Sequence, residues 1–313
     1  MTPISPSYPL DFWQNPRYWL YSFWKFARPH TIVGTSLSVL ALCAIAIARA
    51  HSPAFHPLQL FGTWLACLGG NIYIVGLNQL EDVAIDEINK PHLPIAAGEF
   101  SRQQGQWIVG IAGILALFLA GVFGPWLLLV VVASLTIGTA YSLPPVRLKR
   151  FPFWAAFCIL TVRGAVINLG LFLHFSATMG GDVRVLPAVW ALTLFILAFS
   201  IAIAIFKDVP DTEGDKQYNI ATLTLILGKP AILNLTRGII ALCYLGLIVA
   251  ALLGLLGVNT PLLVASHSLL LGLLGWRSQR VELDDKAAIA QFYQFIWKLF
   301  FLEYLLFPLV CWV

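Results

Sequence analysis

The sequence has few charged residues. Lysine and arginine together number 19 and aspartate and glutamate 15, so charged residues make up 11% of the chain, against roughly 25% in ordinary soluble domains. Hydrophobic residues reach 59%, and the mean hydropathy is +0.83. Such a composition excludes a soluble globular protein, and the small net charge of +4 argues against a nucleic-acid partner.

Paired cysteines and the sequence pattern of a cleavable leader are also missing. The five cysteines stand singly inside apolar stretches, which excludes a zinc or redox motif. Residues 1–29 lack the basic start, apolar run and small-residue cleavage site of a secretory signal. They combine many aromatic residues with Arg17, Lys25 and Arg28, so we expect this segment to be retained as a helix in the membrane interface.

Long apolar stretches, in contrast, are abundant. A bilayer core about 30 Å thick requires roughly 20 apolar residues per spanning helix. The sequence therefore predicts an all-α integral membrane protein in contact with membrane lipid, a single domain over residues 1–313 with about nine transmembrane helices. The stretches lie near 31–49, 58–80, 104–122, 124–142, 152–173, 186–206, 231–254, 258–275 and 290–312.

The charges are distributed unequally between the connections. Nearly all basic residues fall on the alternate connections that include 82–101 and 143–151, and few fall on the opposite ones. By the positive-inside rule the first side is cytoplasmic or its equivalent. Acidic connections follow the second and sixth spans, which indicates four-helix parallel repeats over 30–150 and 151–289 with a last helix over 290–312.

The second span ends in a row of amide and carboxylate side chains. Asn78, Asp82 and Asp86 recur at every fourth position, so on a helix they share one face. An ionised residue at mid-bilayer costs about 2.5–3.5 kcal/mol, and these residues should therefore face a polar cavity near the membrane surface. Three oxygen ligands on one face suit Mg²⁺, although a solvated helix end is the simpler alternative.

The sixth span ends in a second acidic group, Asp208, Asp211 and Asp215. Both groups follow even-numbered spans, so the topology places them on the same side of the membrane. Facing carboxylates repel each other unless cations lie between them, and divalent ions bridging a diphosphate would neutralise both groups. The pattern predicts a site where Mg²⁺ binds a diphosphate and stabilises it as a leaving group, with Asp82 and Asp211 at its centre.

Basic residues accompany the acidic groups. Lys90, Lys149 and Lys207 flank them and could bind diphosphate oxygens as compact point charges, or they could be plain positive-inside anchors. Arg163 lies several residues inside the fifth span, where a charge generally indicates function. It is predicted to pair with an acidic cluster or a diphosphate.

These segments resemble a known family. The patterns Asn-Gln-x-x-Asp-x-x-x-Asp after the second span and Asp-x-x-Asp-x-x-x-Asp after the sixth resemble the UbiA superfamily of aromatic prenyltransferases, over nearly the whole chain. The strings NQLEDVAIDEINKPHLPIAAGEFS, YSLPPVRLKR and KDVPDTEGDKQYNIATLT are similar to its homogentisate phytyltransferase branch. Gln79 stands where many members have aspartate, which removes one potential ligand, but the homogentisate branch shares this Asn-Gln pair.

The resemblance implies helices around a central cavity and Mg²⁺-dependent transfer of a phytyl group from its diphosphate to homogentisate. The expected product, formed with loss of carbon dioxide, is 2-methyl-6-phytylbenzoquinol of tocopherol biosynthesis. Asn78, Asp82, Asp86, Asp208, Asp211 and Asp215 would inherit the metal and diphosphate roles. The resemblance also points to a thylakoid or plasma membrane of a photosynthetic cell.

The remaining roles follow from the chemistry of that reaction. The ring of Tyr141 is a candidate to steady an allylic cation through its face, or else an interfacial anchor. Arg163 and Arg28 are candidates to bind the acceptor carboxylate. The alternatives are transfer of a longer solanesyl chain or transfer to another aromatic acceptor. A membrane transporter is a different class of function, which the nearly uncharged far side argues against.

Overall fold

The computed structural model of the chain describes residues 12–50, 55–207, 209 and 222–312. Every regular element within these residues is helical, as the apolar stretches predict. The α-helices are α1 (Pro16–Phe26), α2 (Pro29–Arg49), α3 (Pro57–Glu81), α4 (Val83–Asn89), α5 (Arg102–Phe123), α6 (Pro125–Ser142), α7 (Pro152–Leu160), α8 (Ile167–Thr178), α9 (Pro187–Phe206), α10 (Leu223–Leu227), α11 (Lys229–Leu252), α12 (Thr260–Ser278) and α13 (Lys286–Cys311). A π-helical segment, Thr161–Val166, joins α7 to α8.

Local sequence signals set the helix ends. Most of the long helices have proline in their first turn, where its fixed φ and missing N–H fit the helix start. Helix α5 instead begins with a capping box, in which Gln104 N donates to Ser101 Oγ at 3.1 Å and Ser101 N donates to Gln104 Oε1 at 2.8 Å. A tight hairpin joins α5 to α6 and turns at Gly124, with φ of 139°.

Eight segments of the described chain are long and apolar enough to cross a membrane. They comprise α2, α3, α5, α6, the run from α7 through α8, α9, α11 and α13. The multi-helical membrane architecture is thereby confirmed. The remaining predicted span, 258–275, is also a helix, α12, but it is less apolar because it carries polar residues such as Ser266 and His267.

The described residues group into two compact units. The first comprises residues up to 40 together with 55–158, and the second comprises 41–50 together with 159–312. In the first unit, α3 packs closely along α5, and a Cβ at Gly69 would lie 2.9 Å from the carbonyl oxygen of Ala112. Small residues permit this approach between neighbouring helices. In the second unit, α9 packs against α11 and α13.

Helix α1 covers one end of α3 within the first unit. A buried cluster joins Phe26 of α1 to Leu77 and Leu80 of α3 and to Ile95, Phe100 and Val109. Lys25 of α1 also forms a salt bridge with Glu99. The segment predicted to be an interfacial helix is thus packed on the end of α3 that carries the first acidic motif.

Candidate active site

The first acidic motif lies across a break in the helix. Helix α3 ends at Glu81, Asp82 has φ of −112° and ψ of 17°, and α4 begins at Val83. The helical bonding pattern continues across this break, because Asp82 N donates to Asn78 O at 3.1 Å and Asp86 N donates to Asp82 O at 2.7 Å. The sequence predicted one uninterrupted helical face, whereas the structure places Asp82 at a junction between two helices.

Asp82 is the most heavily contacted residue of the motif. Lys149 Nζ lies 2.7 Å from its Oδ2, and Arg147 Nη2 lies 3.0 Å from its Oδ1. Asn78 Nδ2 donates to Oδ2 at 3.0 Å, and Arg28 Nη2 donates to Asn78 Oδ1 at 3.2 Å. A mixed cluster of acidic, amide and basic groups is therefore assembled at the end of α3, with Arg28 and Lys149 among its members as predicted candidates.

Asp86 is more deeply enclosed, and 4% of its surface is exposed. Burial raises the pKa of its carboxyl group, and the positive charges of Lys90 and Arg28 counteract this only in part. Its Oδ2 has no hydrogen-bond partner within the part of the chain that the structure describes. A buried carboxylate oxygen in this condition is a suitable ligand for a hard cation.

Arg28 experiences the opposite effect. Burial lowers the pKa of its guanidinium, while the charges of Asp86, Tyr141 and Asp82 act to raise it. The same interactions show that Tyr141, in the last turn of α6, lies within electrostatic range of the acidic motif. Lys90 is largely exposed and lies 3.8 Å from Asp86. The predicted residues Arg28, Tyr141 and Lys90 thus surround the motif.

The donor set of the first motif fits Mg²⁺. Asn78, Asp82 and Asp86 offer amide and carboxylate oxygens, the ligand type that Mg²⁺ prefers. Among the residues described, no three histidine, cysteine, aspartate or glutamate side chains converge on one point. Asp208, Asp211 and Asp215 lie outside the described residues, and Lys207 is exposed directly after α9. Any contribution of the second motif to the metal site stays a prediction.

Arg163 lies in the π-helical segment of the second unit. Its guanidinium carbon is 5.4 Å from the ring centroid of Trp297 and 6.0 Å from that of Phe300, distances typical of cation–π contacts. No ion pair to Arg163 occurs among the described residues, so none of the acids that the structure describes neutralises it. Stacking on ring faces uses no N–H group, which leaves the donors of Arg163 for an anionic ligand.

Asn168 supports the widened turn around Arg163. Its Nδ2 donates to the carbonyl oxygens of Gly164 at 2.7 Å and Arg163 at 3.3 Å, and its Oδ1 accepts from Tyr304 at 3.0 Å. The bond from Tyr304 ties α8 to α13. π-Helical turns often occur at functional sites, and the role of Arg163 in binding a ligand stays a prediction.

Two residues at the motif were missed from the sequence. Arg147 contacts Asp82 and also donates to the carbonyl oxygen of Glu81 at 3.3 Å. The only signal for it was its position in the basic string after Pro144 and Pro145. Gln79 is buried and bonds to the backbone of Phe26, which nothing in its spacing indicated.

Comparison with known proteins places these features in a family. The model described as "UbiA prenyltransferase family" matches residues 38–299. A protein of Synechocystis sp. named homogentisate phytyltransferase is 56% identical, over 94% of this chain and 96% of its own. The chloroplastic homogentisate solanesyltransferase of Arabidopsis thaliana is 39% identical, over 91% of this chain and 75% of its own.

A solved structure shares the fold. It is described as a UbiA homologue from Archaeoglobus fulgidus bound to GPP and Mg²⁺, with a TM-score of 0.59 and 16% identity over 93% of this chain and 99% of that one. At this identity the likeness concerns the fold alone. The family match and the identities to the curated relatives do not depend on it. This chain belongs to the UbiA prenyltransferase family.

Proposed function

We propose that this protein transfers a phytyl group from phytyl diphosphate to the ring of homogentisate. The proposal is supported above all by the cluster at the end of α3, in which Asn78, Asp82 and Asp86 are surrounded by basic side chains. Breaking the bond between phytyl C1 and oxygen sends its electron pair to the diphosphate. A ring carbon forms the new bond, and carbon dioxide leaves the side chain. The proton lost by the ring balances the one gained by the resulting methyl group.

Mg²⁺ is the implied cofactor. Asn78, Asp82 and Asp86 would hold it, and Asp208, Asp211 and Asp215 would complete the site from the second motif. When bound, Mg²⁺ would neutralise the diphosphate and stabilise it as a leaving group. The buried Oδ2 of Asp86 supports this assignment, because an unpartnered buried carboxylate oxygen is costly unless a cation satisfies it.

The basic residues around Asp82 are assigned to the diphosphate. Lys149 and Arg147 both approach Asp82 within 3.0 Å and place two positive charges next to one carboxylate. Charge-assisted hydrogen bonds of this kind bind phosphate oxygens strongly. Lys90 and Lys207 are more exposed, and we assign them to attraction of the anionic substrate as it arrives.

The acceptor carboxylate is assigned to Arg163, and the allylic cation is assigned to the ring face of Tyr141. Arg163 has aromatic rings against its guanidinium face, so its N–H edge can donate to the carboxylate of homogentisate. The ring of Tyr141 lies near Asp82 and Arg28, where its face can stabilise an allylic cation by about 2 kcal/mol when water is excluded.

Phytyl is preferred over solanesyl as the transferred group. The relative named for phytyl transfer is more similar to this chain than the one named for solanesyl transfer. The cyanobacterial and chloroplastic relatives also support a thylakoid or plasma membrane. The active site would then face the cytoplasm or its stromal equivalent, the side on which the positive-inside rule places the acidic motifs.

A competition assay tests the proposed function. Protein purified in detergent is supplied with Mg²⁺, equal amounts of phytyl, geranylgeranyl and solanesyl diphosphates, and either homogentisate or 4-hydroxybenzoate. We expect phytylated and decarboxylated quinol as the main product by mass spectrometry, formed only with homogentisate. A main product with solanesyl would reassign the donor, and prenylation of 4-hydroxybenzoate would reassign the acceptor.

A further inference from the structure

Gln79, next to the first motif residue, is bound to the backbone of α1. Its side chain is buried, with 1% of the residue exposed. Its Nε2 donates to the carbonyl oxygen of Phe26 at 2.8 Å and to that of Val75 at 3.3 Å. Both N–H groups of the amide are therefore used, and one of them ties α3 to the last residue of α1.

Arg28, two residues after Phe26, is held in an unfavourable backbone conformation. Arg28 has φ of 54°, in the left-handed region that residues with a side chain rarely adopt. Such a conformation persists only where the surroundings enforce it. Here the Phe26 carbonyl is fixed by Gln79, the Phe26 ring is buried against Phe100, and Lys25 is paired with Glu99.

The turn between α1 and α2 also places the positive charge of Arg28 next to the acidic motif. Arg28 Nη2 donates to Asn78 Oδ1, and Asn78 Nδ2 donates to Asp82 Oδ2, so the orientation of the Asn78 amide depends on Arg28. The other described non-glycine residue with positive φ is Arg147, which also contacts Asp82. Both strained arginines therefore act on one motif.

We propose that Gln79 is a positioning residue, which clamps the turn between α1 and α2 so that Arg28 is set against Asn78 and the prenyl diphosphate. Gln79 itself is then no metal ligand, although it occupies the place of a possible one. The inference rests on the proposed function only for the identity of the diphosphate that Arg28 meets. An aspartate at this position has a shorter side chain and at most one donor, so it could not make both bonds that the Gln79 amide makes to the Phe26 and Val75 carbonyls.

The first test measures the clamp directly. Gln79→Met keeps the approximate shape and removes the donor, and Gln106→Met, at an exposed position of α5, is the matched control. In hydrogen–deuterium exchange of the full-length protein in detergent, we expect the peptide covering 24–31 to exchange about tenfold faster in Gln79→Met, as for about 1.4 kcal/mol of lost local stability. Unchanged exchange in this peptide would refute the clamp, whatever reaction the enzyme performs.

The second test asks whether Gln79 acts through Arg28. With phytyl diphosphate, Mg²⁺ and homogentisate, we expect Gln79→Met to raise the KM for the diphosphate about tenfold, with less than about a twofold change in the KM for homogentisate. In an Arg28→Gln background the same substitution should have less than about a twofold effect, because coupled residues are not additive. Full additivity would overturn the proposed route through Arg28.

The third variant separates positioning from metal binding. Gln79→Asp should lose at least as much activity as Gln79→Met, with an unchanged Mg²⁺ requirement. Higher activity, or activation at a lower Mg²⁺ concentration, would identify position 79 as a ligand position and overturn the proposal. If the wild-type protein forms no prenylated homogentisate, the proposed function is wrong. The hydrogen–deuterium exchange measurement would still show whether Gln79 clamps the turn between α1 and α2.

Discussion

Asp82 accepts contacts from an amide and two cations, so its negative charge organises the cluster at the end of α3. Asp82→Asn keeps the shape and removes the charge, which leaves Arg147 and Lys149 without an anionic partner. We expect turnover to fall on the order of 10²–10³-fold, the loss typical of removing one preorganised electrostatic group. Product formation at saturating substrate and Mg²⁺ measures this.

A matched aspartate elsewhere provides the control. Asp182 has a side chain that is 78% exposed and pairs with the equally exposed Arg184 at 3.4 Å. Exposed pairs contribute little to stability, so Asp182→Asn should retain wild-type turnover. If Asp82→Asn were as active as Asp182→Asn, the diphosphate site would have to lie elsewhere.

Arg163 differs from the arginines of the first motif because its guanidinium contacts aromatic rings and no acidic group among the described residues. Replacing it by methionine removes the charge and preserves much of the packing against Trp297. We expect the KM for homogentisate to rise about tenfold or more, equivalent to at least about 1.4 kcal/mol of lost binding, and the KM for phytyl diphosphate to change much less. Initial rates with each substrate varied in turn separate the two constants.

Two further variants define the role of Arg163. Arg184→Met, at an exposed position, should leave both constants unchanged. Arg163→Lys keeps the positive charge but lacks the planar guanidinium group with its paired donors. Its affinity for homogentisate should therefore lie between those of Arg163→Met and the wild type. A rise confined to the KM of the diphosphate would assign Arg163 to the donor instead.

At the scale of the elements, the hydropathy pattern predicted the helices closely. The stretch near 58–80 became Pro57–Glu81 and the stretch near 186–206 became Pro187–Phe206, because proline and polar residues bound each apolar run in the sequence itself. Two local distortions of the helices could not be predicted from hydropathy. The junction at Asp82 and the π-helical turn at Arg163 depend on side-chain contacts between helices, such as Tyr304 to Asn168.

In the candidate site, too, some features could be predicted from the sequence and others could not. The fourfold spacing of Asn78, Asp82 and Asp86 was legible in the sequence, since it depends only on helix geometry. The partnership of Arg147 with Asp82 spans 65 residues and requires a left-handed residue that no local signal specified. From the sequence, Gln79 is interpreted only as a position that lacks a potential metal ligand. Its bond to the backbone of Phe26 forms only when α1 packs on α3, so no local pattern could predict it.

At the scale of the whole molecule, the number of membrane crossings depends on α12. This helix is less apolar than the eight segments that are long and apolar enough to cross a membrane. His267 of α12 and Glu303 of α13 are both fully buried, and their Nε2 and Oε1 atoms lie 3.2 Å apart. This pairing lowers the cost of two polar groups in hydrocarbon. Arg277 lies in the last turn of α12, and residues 253–259 at its other end carry no charge. By the positive-inside rule α12 should therefore span.

Labelling from the two membrane sides decides this point. The five native cysteines are buried, so an impermeant maleimide should report on introduced cysteines alone. We expect Leu255→Cys and Asp284→Cys, both at exposed positions in the connections that flank α12, to be labelled from opposite sides of sealed vesicles. Labelling from the same side would mean that α12 does not cross, which would reverse the direction of α13 and place Arg277 on the side that carries few basic residues. The charge asymmetry makes that arrangement the less stable one.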